Sequence, residues 1–296
     1  MSVASVKATI NGQVYTLNWD EVSQSYKATI TAPAKSSYNQ TNHYYPVSVT
    51  ATDNGGNSTT VNDSDPTFGS FLKLQVKEKV APVIAVTYPT AGSHISSSAP
   101  TITFTVTDDD SGVDENTISL TLDEGSAVTT EIQKTPIENG YSCTYTPSSL
   151  LDGNHSFVVN ASDHDGNAAS AVTTAFVVDT VPPVLTIDTP TDNIVTNQDT
   201  VTVSGTTNDA TSGPVTVKVN DVPVTVEEDG TFTYEFTLSE GENTITIVAT
   251  DAVGKSTTVV RHVKKDTGAP VFQEITIVPN PVDAGQTYII TVKVTD

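Results

Sequence analysis

Cysteine is almost absent from this chain: Cys143 stands alone among 296 residues. No internal disulfide can form, so thiol spacing defines neither a bridge framework nor an oxidising compartment. Basic residues are scarce as well, with 13 Lys plus Arg against 35 Asp plus Glu and a formal net charge of -22. A surface of that sign repels a phosphate backbone, which excludes nucleic acid as the expected partner. No run approaches the ~18 consecutive apolar residues of a spanning helix, so no membrane span is expected. The opening "MSVASVKATINGQVY" lacks a basic stretch followed by an apolar one, so no signal peptide is read and release by another route or by lysis is expected. Five histidines, His43, His94, His155, His164 and His262, show no metalloenzyme spacing, and no nucleophile elbow, phosphate loop or dinucleotide fingerprint occurs. No enzymatic activity, catalytic residue or cofactor-binding loop is expected.

Apolar residues nowhere recur at i, i+3, i+4, i+7 over a helical length, while Thr and Val abound and Gly and Pro number 17 and 16. That choice predicts an all-β protein. One pattern occurs three times: "YYPVSVTATDNGGNSTTV", "HSFVVNASDHDGNAASAV" and "NTITIVATDAVGKSTTVV". Aligning Asp53, Asp163 and Asp251 puts Val47, Val49 and Ala51 in register with Phe157, Val159 and Ala161 and with Ile245, Ile247 and Ala249. Each set is one buried strand face. Gly56, Gly166 or Gly254 follows each acid and allows a reversal, so each copy predicts a β-hairpin. Pro82, Pro183 and Pro270 recur in "APVIAV", "PPVLTI" and "APVFQEI" as stiff joints. Units of roughly 90–100 residues with about seven strands suit immunoglobulin-like sandwiches. The expected organisation is an incomplete unit over 1–79 carrying strands C to G, domains over 80–180 and 181–267, and a partial unit over 268–296 carrying strands A and B, in an elongated array. Cys143, in "YSCTYTP", reads as a buried core thiol.

The joint "VDTVPPVLTI", the loop "TDDDSGVDENTISLTLDEG" and the hairpins "ASDHDGN" and "ATDAVGK" resemble bacterial Ig-like repeats of surface adhesins and of proteins encoded among phage and prophage tail genes of gut Firmicutes. The resemblance implies a virion-tail or extracellular structural protein, a spacer or fibre that contacts a host-cell protein or glycan. A secreted adhesin or stalk module and a carbohydrate-binding module are the alternatives it leaves open.

An acid lies four residues before each joint proline: Glu78, Asp179 and Asp266. In such a sandwich the incoming linker meets the B–C and F–G loops, which carry Asp108, Asp109, Asp110, Asp163 and Asp165 in one domain and Asp209 and Asp251 in the next, with Asp296 at the equivalent place in the last unit. Oxygen clusters of this kind suit structural Ca²⁺, and the resemblance implies calcium stiffening between domains. The competing reading makes Asp163 and its equivalents Asx-turn acceptors. A second candidate surface is "SSYNQTNHYYP", where Tyr38, Tyr44 and Tyr45 form a polar-aromatic recognition patch or, alternatively, a packed corner beside a solvated loop. Finally, "QTYIITVKVTD" alternates Tyr288, Ile290, Val292 and Val294, and its register matches Ile102, Phe104 and Val106. The outer units are complementary parts of one sandwich, so head-to-tail self-assembly by strand complementation is expected, joining Asp296 of one copy to Met1 of another. Completion by a different tail protein is an equal expectation, and a truncated chain and a first unit self-sufficient in another topology are the remaining readings.

Overall fold

Alternating Val, Ile, Phe and Thr runs become strands, because β-branched and aromatic side chains fit a half-buried pleated surface. The computed structural model describes residues 2–296. Met1, on one side of the expected joint with Asp296, lies outside the described residues. Backbone contacts divide the chain into two bodies, one ending at Val178 and one spanning Asp179–Asp296. No helix is long and apolar enough to cross a membrane.

The first segment holds β1 (Val3–Ile10), β2 (Gln13–Asp20), β3 (Ser25–Lys27), β4 (Tyr45–Asp53), β5 (Ser58–Val61) and β6 (Lys73–Leu74). They form one antiparallel sheet in the order β3-β2-β1-β4-β5, with β6 also on β4. The β1–β2 turn places Asn11 and Gly12 at φ 47 and 75, the two positive values a tight hairpin needs. Val6, Ala8 and Ile10 face Leu17, Tyr15 and Gln13 on one side and Ala51, Val49 and Val47 on the other, making one apolar face. Residues 28–33 of "SYKATITAP", which align with "TFTYEFTLS" of a later strand E, form no strand. Strand E needs strand B beside it, and the first segment contains no second sheet among the described residues.

The next domain contains β7 (Val83–Tyr88), β8 (His94–Ile95), β9 (Ile102–Thr107), β10 (Val113–Leu122), β11 (Gln133–Ile137), β12 (Gly140–Tyr145), β13 (Gly153–Asp163) and β14 (Val172–Val178). Two four-stranded sheets, β10-β13-β14-β8 and β11-β12-β9-β7, enclose Phe104, Leu120, Cys143, Phe157, Val159 and Phe176. The second body holds β15 (Val184–Thr189), β16 (Ile194–Thr196), β17 (Thr200–Asn208), β18 (Thr216–Val219), β19 (Val222–Val224), β20 (Thr231–Thr237), β21 (Gly241–Thr250) and β22 (Ser256–Lys265). Its sheets β15-β17-β20 and β16-β22-β21-β18-β19 close on Val203, Val217, Phe232, Ile245 and Ile247. In both domains strand A (β7, β15) pairs with B (β9, β17) and a short following strand runs parallel to G (β14, β22).

A two-stranded ribbon completes the second body: β23 (Val271–Val278) and β24 (Ile289–Thr295), which among the described residues pair only with each other. Val271 faces Thr295 and Phe272 faces Val294, as Val83 faces Thr107 and Ile84 faces Val106. The ribbon is thus an A–B pair in the register of the complete domain.

Candidate metal centres where linkers meet domain loops

Two groups of three carboxylates converge. In the first body Glu78, Asp108 and Asp163 place one oxygen each within 4.8 Å of one another, and Asp179, Asp209 and Asp251 do so in the second. Each group takes one residue from the segment before strand A, one from the B–C loop and one from the end of strand F, regions brought together only by closure of the two sheets. Ca²⁺ ligands at about 2.3–2.6 Å from an ion lie within about 5 Å of each other, so the spacing fits. Three like charges so close also repel unless something positive joins them.

Backbone amides hold these acids. Asp110 and Gly112 donate to Asp108 Oδ1 at 3.0 and 2.8 Å, and Thr211 and Ser212 donate to Asp209 Oδ1 at 2.8 and 2.7 Å. Val253 and Lys255 donate to Asp251 Oδ1 at 2.9 and 2.8 Å. The three F–G hairpins then diverge at one position. Asn57 and Asn167 reach back with their amides to Asp53 Oδ2 and Asp163 Oδ2, at 3.0 and 2.6 Å. The third hairpin has Lys255 there, and Asp251 Oδ2 is buried with no hydrogen-bond partner. Asp251 is 6% exposed and Asp179 is fully buried. Among the described residues neither they nor Asp209 form an ion pair. A buried, unpaired carboxylate oxygen is costly, and a cation would satisfy it.

Two serines unmarked by the acid pattern complete the sites. Ser111 Oγ donates to Glu78 Oε1 at 3.0 Å, and Ser212 Oγ donates to Asp179 Oδ2. The signal was present in the repeated Ser-Gly of "DDDSG" and "NDATSG".

Other expected ligands are occupied elsewhere. Asp109 Oδ1 accepts from Asn139 Nδ2 at 2.9 Å, and Asp110 accepts the Ser36 amide at 3.1 Å. Asp165 Oδ2 takes the Glu78 amide at 3.0 Å; these three fasten segments rather than join the cluster. Asp266 pairs with Lys264 Nζ at 2.9 Å, and that hydrogen bond holds its carboxyl below the usual range. Neither Asp266 nor Asp296 belongs to a three-acid group among the described residues, because no F–G loop faces them.

In the tyrosine stretch, Tyr45 packs at the corner, as one of the two expected readings has it. Tyr38 stacks between His43 and His164, with ring centroids 4.2 and 3.9 Å away. Tyr45 is buried and donates its hydroxyl to the Lys35 carbonyl at 3.1 Å. Tyr44 donates to Asp63 Oδ2 at 2.8 Å, with Lys73 Nζ 5.2 Å from its ring centre. The hydroxyls of Tyr44 and Tyr45 thus serve internal contacts. Tyr288, Ile290, Val292 and Val294 are by contrast exposed, at 52, 54, 45 and 44%.

Residues 91–180 match the family described as "Bacterial Ig-like domain", and residues 183–267 match "Glucodextranase, domain B". The chain is 34% identical over 109 residues to Bacillopeptidase F of Bacillus subtilis (strain 168), covering 37% of this chain and 7% of that protein's length. Similar solved structures include the Clostridium thermocellum CbhA fibronectin(III)-like modules, at 17% identity and TM-score 0.38 over 62% of this chain and 95% of theirs. The titin I-band fragment I67-I69 is similar at 11% identity and TM-score 0.43, over 88% and 87% of the two chains. With the sheet pairing described above, the two family matches make this chain a tandem array of Ig-like β-sandwich domains.

Proposed function

We propose that the chain is a non-catalytic structural spacer whose Ig-like domains are braced by Ca²⁺ at the two carboxylate groups. The orphaned, buried Asp251 Oδ2 beside Asp179 and Asp209 carries this reading. A bound ion would clamp the segment before strand A to two loops of the domain it enters, while backbone carbonyls and water fill the remaining coordination positions. Binding only to the folded state adds about 2.7 kcal/mol at a hundredfold excess over Kd, which corresponds to a rise of several degrees in Tm. Calorimetry in millimolar Ca²⁺ should show that rise relative to chelator, and Asp251→Asn should remove the part belonging to the second body. Equal melting temperatures with no heat of binding would refute the cation brace.

The resemblance of the joints and hairpins to Ig-like proteins of phage tails supports a place on a virion tail. The match to a stretch of Bacillopeptidase F favours a second reading, a stalk module of a larger secreted bacterial protein. Sedimentation separates the two: a tail component co-purifies with particles released by prophage induction, whereas a stalk module is recovered with soluble extracellular protein.

A further inference from the structure

We propose that the two carboxylate groups fill in a fixed order, the second body first, because Asn167 already does in the first body the fastening that a cation does in the second. The proposal rests on the cation brace above and adds how calcium concentration regulates its two sites. Asn167 Nδ2 donates to Asp163 Oδ2 at 2.6 Å and to the Glu78 carbonyl at 3.2 Å. One side-chain amide therefore joins the end of strand F to the segment before strand A, the two parts that an ion would join. Asp165 adds to the fastening: its Oδ2 takes the Glu78 amide at 3.0 Å, and its carbonyl takes Lys77 Nζ at 2.9 Å.

The corresponding hairpin of the second body reads "DAVGK" against "DHDGN". Val253 offers no carboxylate where Asp165 stands, and Lys255 donates to Asp251 through its backbone amide. Asp251, 6% exposed, thus keeps Oδ2 without a hydrogen-bond partner among the described residues, inside the group it forms with Asp179 and Asp209. An ion entering the second group meets a free ligand, whereas an ion entering the first must break the Asn167 bond to Asp163. Breaking a hydrogen bond to a charged acceptor lowers affinity about tenfold. Local charge acts in the same direction. Lys77 and Lys79 flank Glu78, whereas Val178 and Thr180 flank Asp179, and a nearby positive charge repels an incoming cation. Between the two thresholds an ion clamps the segment before strand A in the second body, while hydrogen bonds hold its counterpart in the first.

The test titrates Ca²⁺ into the chelator-treated full chain and follows hydrogen exchange at the two F–G hairpins, residues 163–167 and 251–255. Protection at 251–255 should reach its midpoint at about tenfold lower free Ca²⁺ than protection at 163–167. Asn167→Ala, which frees Asp163 Oδ2, should lower the first midpoint about tenfold. Lys255→Asn, which supplies the missing side-chain amide, should raise the second midpoint by a similar factor and leave the first in place. Asparagine is what the other two hairpins carry at that position, so this variant decides the matter even if Asn167→Ala fails to fold. Equal midpoints, a first group that fills first, or a second midpoint unmoved by Lys255→Asn overturn the order while the brace stands. Absence of calcium-dependent protection at both hairpins refutes the brace and the order together.

Discussion

At the residue scale, Asp163 and Asp251 occupy the same hairpin position and differ in one neighbour. Asn167 supplies a side-chain amide to Asp163, and Lys255 supplies only its backbone to Asp251. Lys255→Asn should therefore add about 1 kcal/mol to cation-free stability by satisfying Oδ2 and shrink the Ca²⁺ increment, both read by urea unfolding with and without chelator. His155 gives a pH prediction. Burial pulls its pKa down, but hydrogen bonds to Asp123 at 2.6 Å and to the Leu151 carbonyl at 2.8 Å outweigh that, and the net shift is upward. A raised folded-state pKa stabilises fully below the unfolded value, near 6.5, and the contribution fades as pH rises through the folded value. His155→Gln should thus cost about 1 kcal/mol more at pH 5.5 than at pH 8.5, measured as the difference in denaturant midpoint. Burial likewise pushes the Cys143 thiol up to about 11, in line with a packed core sulfur.

Among the elements, strand F shows what a missing sheet does. Phe157 and Val159 in β13 and Ile245 and Ile247 in β21 are fully buried, whereas Val47 and Val49 in β4 are half-buried. Side-chain alternation is the same in all three strands; only the opposing sheet differs. Val159→Ala should destabilise the second domain by about 2–3 kcal/mol, while Val49→Ala should cost under about 1 kcal/mol, with domain-resolved hydrogen exchange as the readout. The corner before strand F is locked by three different residues. Tyr45, His155 and Asn243 each bond a carbonyl upstream, at Lys35, Leu151 and Ser239. This is the structural job of a tyrosine corner carried by three chemistries.

For the whole molecule, the two complete domains close cores between two sheets, whereas the first segment buries Val6, Ala8, Ile10 and Tyr45 against a single sheet. The β23–β24 ribbon is exposed on both faces, and an isolated two-stranded pair is marginal in water. Its amides should exchange fastest of the longer strands, and hydrogen exchange as slow as in β13 and β21 would contradict this.

The sequence alone was enough for the all-β class, the three F–G hairpins, the A–B ribbon and the acids from which both carboxylate groups are drawn, because alternation, turn glycines and repeat alignment are local properties of the chain. Tertiary structure decided the rest. It chose Asp108 over Asp109 and Asp110, turned Asp165 to the Glu78 amide, gave Asp266 to Lys264, and buried Tyr45 while stacking Tyr38 between two histidines. It also left residues 28–33 without a strand. Those outcomes depend on which distant segments come within hydrogen-bonding reach when two sheets close, or fail to close, and no local pattern encodes that distance.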